Sequence, residues 1–125
     1  MTTLVEVATV NDIHRGSLNR VRIGGCDIVL ARSGDRYFCA DNLCPHLKGD
    51  LSQGTLQGSV ITCPEHHSKF DLTDGHVIRW TDLTGIKLVL AKNVRPPRPL
   101  VTHAVKVEGG KIFVELSPDE RSGKR

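Results

Sequence analysis

The chain has 125 residues, which fits one domain and leaves no room for a separate catalytic domain of ordinary size. Its residues are 38% hydrophobic and 25% charged, and no apolar run approaches the roughly 20 residues that a membrane span needs, so we expect no membrane contact. The formal net charge is +3 and no basic stripe is interleaved with aromatic residues, so we expect no nucleic-acid partner. The first ten residues lack the pattern of a signal peptide, which predicts a cytoplasmic location.

Short alternating segments separated by glycine turns predict an antiparallel all-β domain. In chain order the predicted strands and turns are 21–23 and 26–31 around Gly24-Gly25, 37–40 after Ser33-Gly34, 69–72 and 77–80 around Asp74-Gly75, and 103–107 and 111–116 around Gly109-Gly110. We expect a β-sandwich-like base that is built from both chain ends, with residues 41–80 inserted as a subdomain. Residues 1–116 would form the single domain.

The segment 81–100 has features of both an extended strand and a proline-rich connector. Alternating Ile86, Leu88 and Leu90 predict an extra strand or extended segment, and the proline-rich residues 95–99 predict a stiff connector. The last residues, 117–125, are polar and charged, which predicts a disordered tail.

Two short motifs carry the chemistry of the chain: Cys44-Pro45-His46-Leu47 and Cys63-Pro64-Glu65-His66. Each offers one thiolate and one imidazole. Cys44 and His46 can face the same side only if the backbone is extended or turned, and Pro64 favours a tight loop between Cys63 and His66. This mixed donor set fits a 2Fe-2S cluster with Cys44 and Cys63 on one iron and His46 and His66 on the other.

A structural zinc site is the alternative reading of the same four residues, because zinc accepts two thiolates and two imidazoles in a tetrahedral cage. Zinc sites usually bring cysteine pairs and histidine pairs with two to four intervening residues, whereas each motif here is mixed. The remaining cysteines, Cys26 and Cys39, lie in apolar strand-like runs, and we predict buried thiols there and no disulfide.

The region from Cys44 to Gly75 resembles the cluster-binding region of the Rieske ferredoxin family. The resemblance extends to Leu51, Gly54 and Gly58 between the motifs and to Phe70-Asp71 and Thr73-Asp74-Gly75 after them. It implies a Rieske fold with one 2Fe-2S cluster and an electron carrier that is not itself an enzyme. The implied partners are a flavin-dependent NAD(P)H reductase and a terminal oxygenase, as in bacterial ring-hydroxylating dioxygenase systems of aromatic hydrocarbon catabolism, docking transiently near His46 and His66.

Several positions refine this resemblance. High-potential Rieske proteins carry two more cysteines that bridge the cluster loops, and the chain has Gly49 and Glu65 there, which implies the disulfide-free ferredoxin branch and a lower potential. His67 stands where related proteins often have glycine, and its replacement by glycine should leave the cluster content intact. A Ser68 hydroxyl aimed at a cluster sulfur would raise the potential.

Other functions stay open at this point. A small noncatalytic subunit of a reductase such as nitrite reductase shares this fold, although such subunits often lack the cluster ligands. A redox sensor that binds according to its cluster state is a third possibility. An oxygenase is disfavoured, because the remaining histidines, His14, His67, His76 and His103, show no compact spacing for a mononuclear iron.

Overall fold

The computed structural model describes residues 3–45, 49–65, 67–80 and 97–116. These residues form two 3-10 turns, at Val10–Asp12 and Leu51–Gln53, and eleven β-strands. The strands are β1 (Thr3–Thr9), β2 (Leu18–Ile23), β3 (Cys26–Ser33), β4 (Arg36–Asp41), β5 (Thr55–Gln57), β6 (Val60–Thr62), β7 (Lys69–Asp71), β8 (Val77–Arg79), β9 (Thr102–His103), β10 (Val105–Glu108) and β11 (Lys111–Leu116). All the strand pairs are antiparallel, so the predicted all-β class is confirmed. A membrane-spanning helix is absent from this part of the chain.

Two sheets form the base, with strand orders β1-β11-β10 and β2-β3-β4-β9. The two chain ends meet in the first sheet, where β1 pairs with β11 from Thr3 opposite Leu116 to Thr9 opposite Lys111. The β2–β3 hairpin is closed between Ile23 and Cys26 by the predicted Gly-Gly turn, in which Gly24 has φ 59. Glycine adopts this left-handed conformation without a steric penalty, which explains why the turn is so tight.

Strand β3 is buried on both of its faces and divides the interior into two cores. Successive side chains of a strand point to opposite sides. Ile28 and Leu30 pack with Ile112 and other residues of the β1-β11-β10 sheet. Val29 and Ala31 face a second core, whose other members are Phe38, Ala40, Cys44, Leu51, Ile61, Cys63, Phe70, Leu72, Trp80 and Leu100. The second core therefore joins the base to the two cysteine motifs.

A third sheet, in the order β5-β6-β7-β8, lies in the chain between β4 and β9. Strand β4 pairs with β9 through Cys39 opposite His103 and Ala40 opposite Thr102. The chain thus leaves the base after Asp41, builds the third sheet, and returns to the same strand at Thr102. Both cysteine motifs lie within this excursion.

The structure refines several of the strand assignments. Strands β1, β5 and β6 were not among the predicted segments, and the predicted strand 103–107 is interrupted between β9 and β10. Cys26 and Cys39 are buried, and no disulfide joins them in the described part of the chain. The extended segment predicted around 86–90 and the tail 117–125 lie outside the described residues.

Candidate metal centre

Two six-residue loops carry the cysteine motifs, and each loop is closed by the amide of its cysteine. In loop A, residues 44–49, the Cys44 N–H donates to the carbonyl of Gly49 at 2.9 Å. In loop B, residues 63–68, the Cys63 N–H donates to the carbonyl of Ser68 at 2.8 Å. Loop A lies between Leu43 and Asp50, which form an antiparallel bridge, and loop B connects β6 to β7. The two motifs are therefore presented in matching backbone frames.

The thiol side chains of the two loops are buried in the same core. Cys44 is 1% exposed and Cys63 is 2% exposed, and both pack with Leu51 and Phe70. The loops also touch: a Cβ atom built on Gly49 would lie 2.7 Å from the Cys63 Sγ atom. The structure thus brings the sulfur donor of loop B against the backbone of loop A.

The four predicted ligands divide into two groups. Cys44 and Cys63 are in place at the start of their loops, whereas His46 and His66 lie outside the described residues. Among the described residues no three His, Cys, Asp or Glu side chains come together as a metal site. The described donors are thus two thiols from two loops, which are the sulfur ligands that a mixed-ligand 2Fe-2S cluster and a zinc cage would both use.

Two arginines that the sequence reasoning missed hold the loops by their backbones. Arg98 donates from Nη2 to the Pro45 carbonyl of loop A at 3.2 Å. Arg79 donates from Nε and Nη2 to the His67 carbonyl of loop B, at 3.1 and 3.0 Å. No sequence signal marked Arg79, and Arg98 was visible only as part of the proline-rich segment. A contact between residues 53 positions apart leaves no local pattern.

A buried polar network supports the exit of loop A. The fully buried Asn42 donates from Nδ2 to Asp50 Oδ1 at 2.8 Å, and its Oδ1 atom accepts the Ser52 N–H at 2.9 Å. Arg20 approaches Asp50 Oδ2 at 3.4 Å. Hydrogen bonds from Ser52 and Asn42, together with the Arg20 charge, hold the pKa of Asp50 below its usual value. Asp50 is therefore a fixed anion at the base of the loop.

Two residues of loop B, His67 and Ser68, have notable backbone and hydrogen-bond geometry. His67 has φ 58, which lies in the left-handed region where glycine is preferred, and this conformation fits the expectation that related proteins often have glycine at this position. The Ser68 hydroxyl donates to the backbone carbonyl of Trp80. The hydroxyl is fully buried, so its orientation is set by the residues packed around it.

A strap formed by residues 97–103 ties the site to the base. The Leu100 N–H donates to the Gly75 carbonyl at 2.8 Å, and the Leu100 side chain lies in the same core as the two thiols. Further along the strap, His103 Nε2 lies 2.9 Å from Asp41 Oδ1. This contact fits the interpretation of His103 as an ordinary hydrogen-bonded histidine, and His76 likewise contacts Asp74 through Nδ1.

Comparison with known proteins identifies the fold and the family. The ferredoxin component of the naphthalene 1,2-dioxygenase/salicylate 5-hydroxylase systems of a Ralstonia species is 28% identical over 112 residues, which cover 90% of this chain and 94% of the relative. The solved ferredoxin of carbazole 1,9a-dioxygenase from Nocardioides aromaticivorans IC177 has a TM-score of 0.71 at 27% identity, covering 90% of this chain and 96% of that one.

A second solved structure is a complex of reduced oxygenase and oxidized ferredoxin in carbazole 1,9a-dioxygenase. The matched chain has a TM-score of 0.71 at 29% identity, and the match covers 88% of this chain and 99% of that one. These relatives are ferredoxin components, which confirms the prediction of an electron carrier and disfavours the reductase-subunit and zinc alternatives. The model of the Rieske [2Fe-2S] domain matches residues 3–93, and the chain therefore belongs to the Rieske family.

Proposed function

We propose that this chain is a Rieske ferredoxin that holds one 2Fe-2S cluster through Cys44, His46, Cys63 and His66. The observation that carries the proposal is the meeting of loops A and B, in which two buried thiols start matching backbone frames and the Cys63 sulfur lies against Gly49. Two thiolates from separate loops suit one iron of such a cluster, and the histidines two and three positions further on would serve the other.

The described half of the site fits this cofactor. Both thiols are shielded from solvent by apolar side chains, which would keep water away from a bound cluster and tune its potential. When bound, a cluster of this type takes up and releases a single electron. The protein contributes the sulfur ligands, the apolar wall beneath them and the hydrogen bonds that fix the two loops.

The proposal extends to partners and setting. The chain would accept electrons from a flavin-dependent NAD(P)H reductase and pass them to a terminal oxygenase, docking near His46 and His66. The related ferredoxin that is solved in complex with its oxygenase supports a direct contact of this kind. We place the protein in the cytoplasm, with one domain over residues 1–116 and a cluster subdomain at about 41–80.

Metal analysis combined with EPR tests the proposed cofactor. After dithionite reduction we expect a rhombic signal with a low average g value and about two irons per chain, with matching sulfide. Protein purified with one zinc per chain and no EPR signal would instead make this domain a structural zinc module.

Matched variants test the four ligands. Cys44→Ala, Cys63→Ala, His46→Ala and His66→Ala should each abolish the mixed-ligand signal. The thiol control is Cys26→Ala, which removes another buried sulfur from the other core, and the imidazole control is His14→Ala at an exposed position. Both controls should keep the signal, and its survival in any of the four ligand variants would contradict the assignment of that residue.

A further inference from the structure

Two arginines from outside loops A and B bind backbone carbonyls of the loops. Arg98 comes from the strap and Arg79 from β8, and each reaches a backbone carbonyl of a different loop, at Pro45 and His67 respectively. Both arginines are exposed. Two distant parts of the chain therefore place a guanidinium at the rim of the same site.

These two guanidinium groups differ in their charge environment from the arginines that are paired with carboxylates, and they differ from the exposed Arg36 in contacting the two loops. Arg20 is paired with Asp27 at 2.7 Å and Arg15 with Asp35 at 3.0 Å. Arg79 and Arg98 have no carboxylate within ion-pair distance in the part of the chain that the structure describes. An arginine stays charged at any physiological pH and has five N–H donors, of which a carbonyl takes one or two.

The side chains of Arg79 and Arg98 are also restrained before any partner binds. A hydrogen bond to a loop carbonyl restricts the rotamers of a long side chain, so less conformational entropy is lost when a second partner binds the remaining donors. Carboxylates match the planar fork of a guanidinium better than any other protein group. Three other described charges near the loops have local surroundings that differ. Glu65 is exposed, Lys69 contacts Thr62 Oγ1 at 3.2 Å, and Asp50 at the exit of loop A is held by Asn42, Ser52 and Arg20.

We propose that Arg79 and Arg98 are the contact points of a cationic docking face around loops A and B, and that the redox partner presents carboxylates to them. The inference rests on the proposed electron-carrier function and adds the chemistry of the partner surface. Leu43, which precedes loop A and is 45% exposed, gives this face an apolar portion. A small polar interface of this kind suits a transient redox encounter.

The test is electron transfer to two small oxidants of opposite charge. Reduced protein is mixed in a stopped-flow instrument with ferricyanide, a trianion that stands in for an acidic partner, or with tris(phenanthroline)cobalt(III), a trication. The ratio of the two rate constants is insensitive to a shared change in driving force, so it reports the local charge at the electron exit. In the wild type the ferricyanide rate should fall with added salt, and the cobalt rate should rise.

The variants are Arg79→Gln, Arg98→Gln and the double substitution. At about 0.1 M salt we expect the double variant to slow the ferricyanide reaction on the order of fivefold and to speed the cobalt reaction comparably, since two charges are removed at roughly 10 Å. Arg79→Lys and Arg98→Lys keep the charge and should restore the ratio. The control is Arg36→Gln at the start of β4, an exposed arginine about 17 Å along the strand from Asp41.

The possible results separate the two proposals. No mixed-ligand EPR signal in the wild type would refute the proposed function itself. A normal signal with an unchanged rate ratio in the double variant would overturn the docking inference alone. The docking inference would also be overturned if the lysine variants gave the same rate ratio as the glutamine variants, or if Arg36→Gln changed the ratio as much as the double variant.

Discussion

Gly49 of loop A lies directly against Cys63 of loop B. A Cβ atom at Gly49 would be 2.7 Å from the Cys63 Sγ atom, a separation that van der Waals repulsion forbids. The same Cβ would be 3.4 Å from the Cβ of Glu65, close to the spacing of about 3.5–4.5 Å across a disulfide. The resemblance to the Rieske family implies that positions 49 and 65 are those at which its high-potential members carry bridging cysteines. In this chain a glycine lets the loops approach at the place where such relatives are bridged.

Gly49→Ala should therefore disturb the ligand arrangement while leaving the fold in place. The new methyl group must displace the Cys63 sulfur or push the loops apart, and overpacking of this kind costs about 1–3 kcal/mol. We expect lower iron and sulfide content per chain and a weaker EPR signal, with an unchanged far-UV circular dichroism spectrum.

The control for this prediction is Gly34→Ala in the β3–β4 turn. Gly34 has φ +61, so alanine is strained there, but no atom lies within 4 Å of its Cβ position. Its cluster content should match that of the wild type. Full cluster loading in Gly49→Ala would show that the contact between the loops does not position the Cys63 ligand.

Gly75 also has a steric role, because it contacts the strap closely. A Cβ at Gly75 would lie 1.9 Å from the Leu100 carbonyl oxygen, and Gly75 also has φ +84. Gly58→Ala shares the left-handed strain, with φ +59, but meets open space. We expect Gly58→Ala to lower the free energy of unfolding by about 1–2 kcal/mol and Gly75→Ala to lower it at least twice as much. Urea unfolding followed by fluorescence of the buried Trp80 measures both variants.

A comparable loss in the two variants would mean that the Leu100 carbonyl moves aside at little cost. The strap would then be a loose connection, and its bonds to Gly75 and Pro45 would add little to the stability of the site. A much larger loss in Gly75→Ala would identify the strap as a fixed part of the fold.

The features that the sequence predicted well are those encoded locally. Glycine pairs predicted the turns of the β2–β3 and β10–β11 hairpins, and the two Cys-Pro motifs predicted the positions of both loops. Strand β3 was also recognisable as an apolar run, although its burial on two faces depends on which sheets cover it. Short strands such as β5 and β6 were missed, since three residues carry too little periodicity to detect.

The contacts that the sequence did not predict are long-range or depend on side-chain direction. Arg98 reaches Pro45 across 53 positions, so only the folded strap brings them together. The contact between the Ser68 hydroxyl and the Trp80 carbonyl likewise joins residues 12 positions apart, and no local pattern marks it. The candidate ligands can therefore be predicted from the sequence, because they lie in two local motifs. The groups that support and surround them cannot be predicted in this way.

The Asp50 network predicts a specific dependence of stability on pH. Asp50 accepts hydrogen bonds from Asn42 and Ser52, and its pKa in the folded state is lowered. A lowered folded pKa means that the carboxylate stabilises the protein above the usual aspartate value of about 3.9, and that this contribution is lost as the pH falls through the folded pKa. Asp50→Ala should cost about 1–2 kcal/mol at neutral pH.

Urea unfolding between neutral pH and about pH 3 checks this expectation, and the difference between Asp50→Ala and the wild type should shrink below roughly pH 4. The control is Asp35→Ala, which removes a carboxylate whose side chain is 84% exposed and which pairs with Arg15 at 3.0 Å and with Arg32 at 3.6 Å. Exposed pairs contribute about 0–1 kcal/mol, so this variant should stay close to the wild type. A difference for Asp50→Ala that does not change with pH would mean that lost packing, rather than the charge, accounts for the effect.

His67 is strained by its Cβ atom, because it is a non-glycine residue with φ 58. His67→Gly and His67→Ala both remove the imidazole, and only glycine relieves the strain. We expect His67→Gly to be more stable than His67→Ala by about 1 kcal/mol in urea unfolding, after the greater flexibility of glycine in the unfolded chain is included. Both variants keep the carbonyl that Arg79 binds, so both should retain the full iron content. Loss of iron in His67→Gly would instead mean that the imidazole itself takes part in holding the metal, and the ligand assignment of loop B would have to include His67.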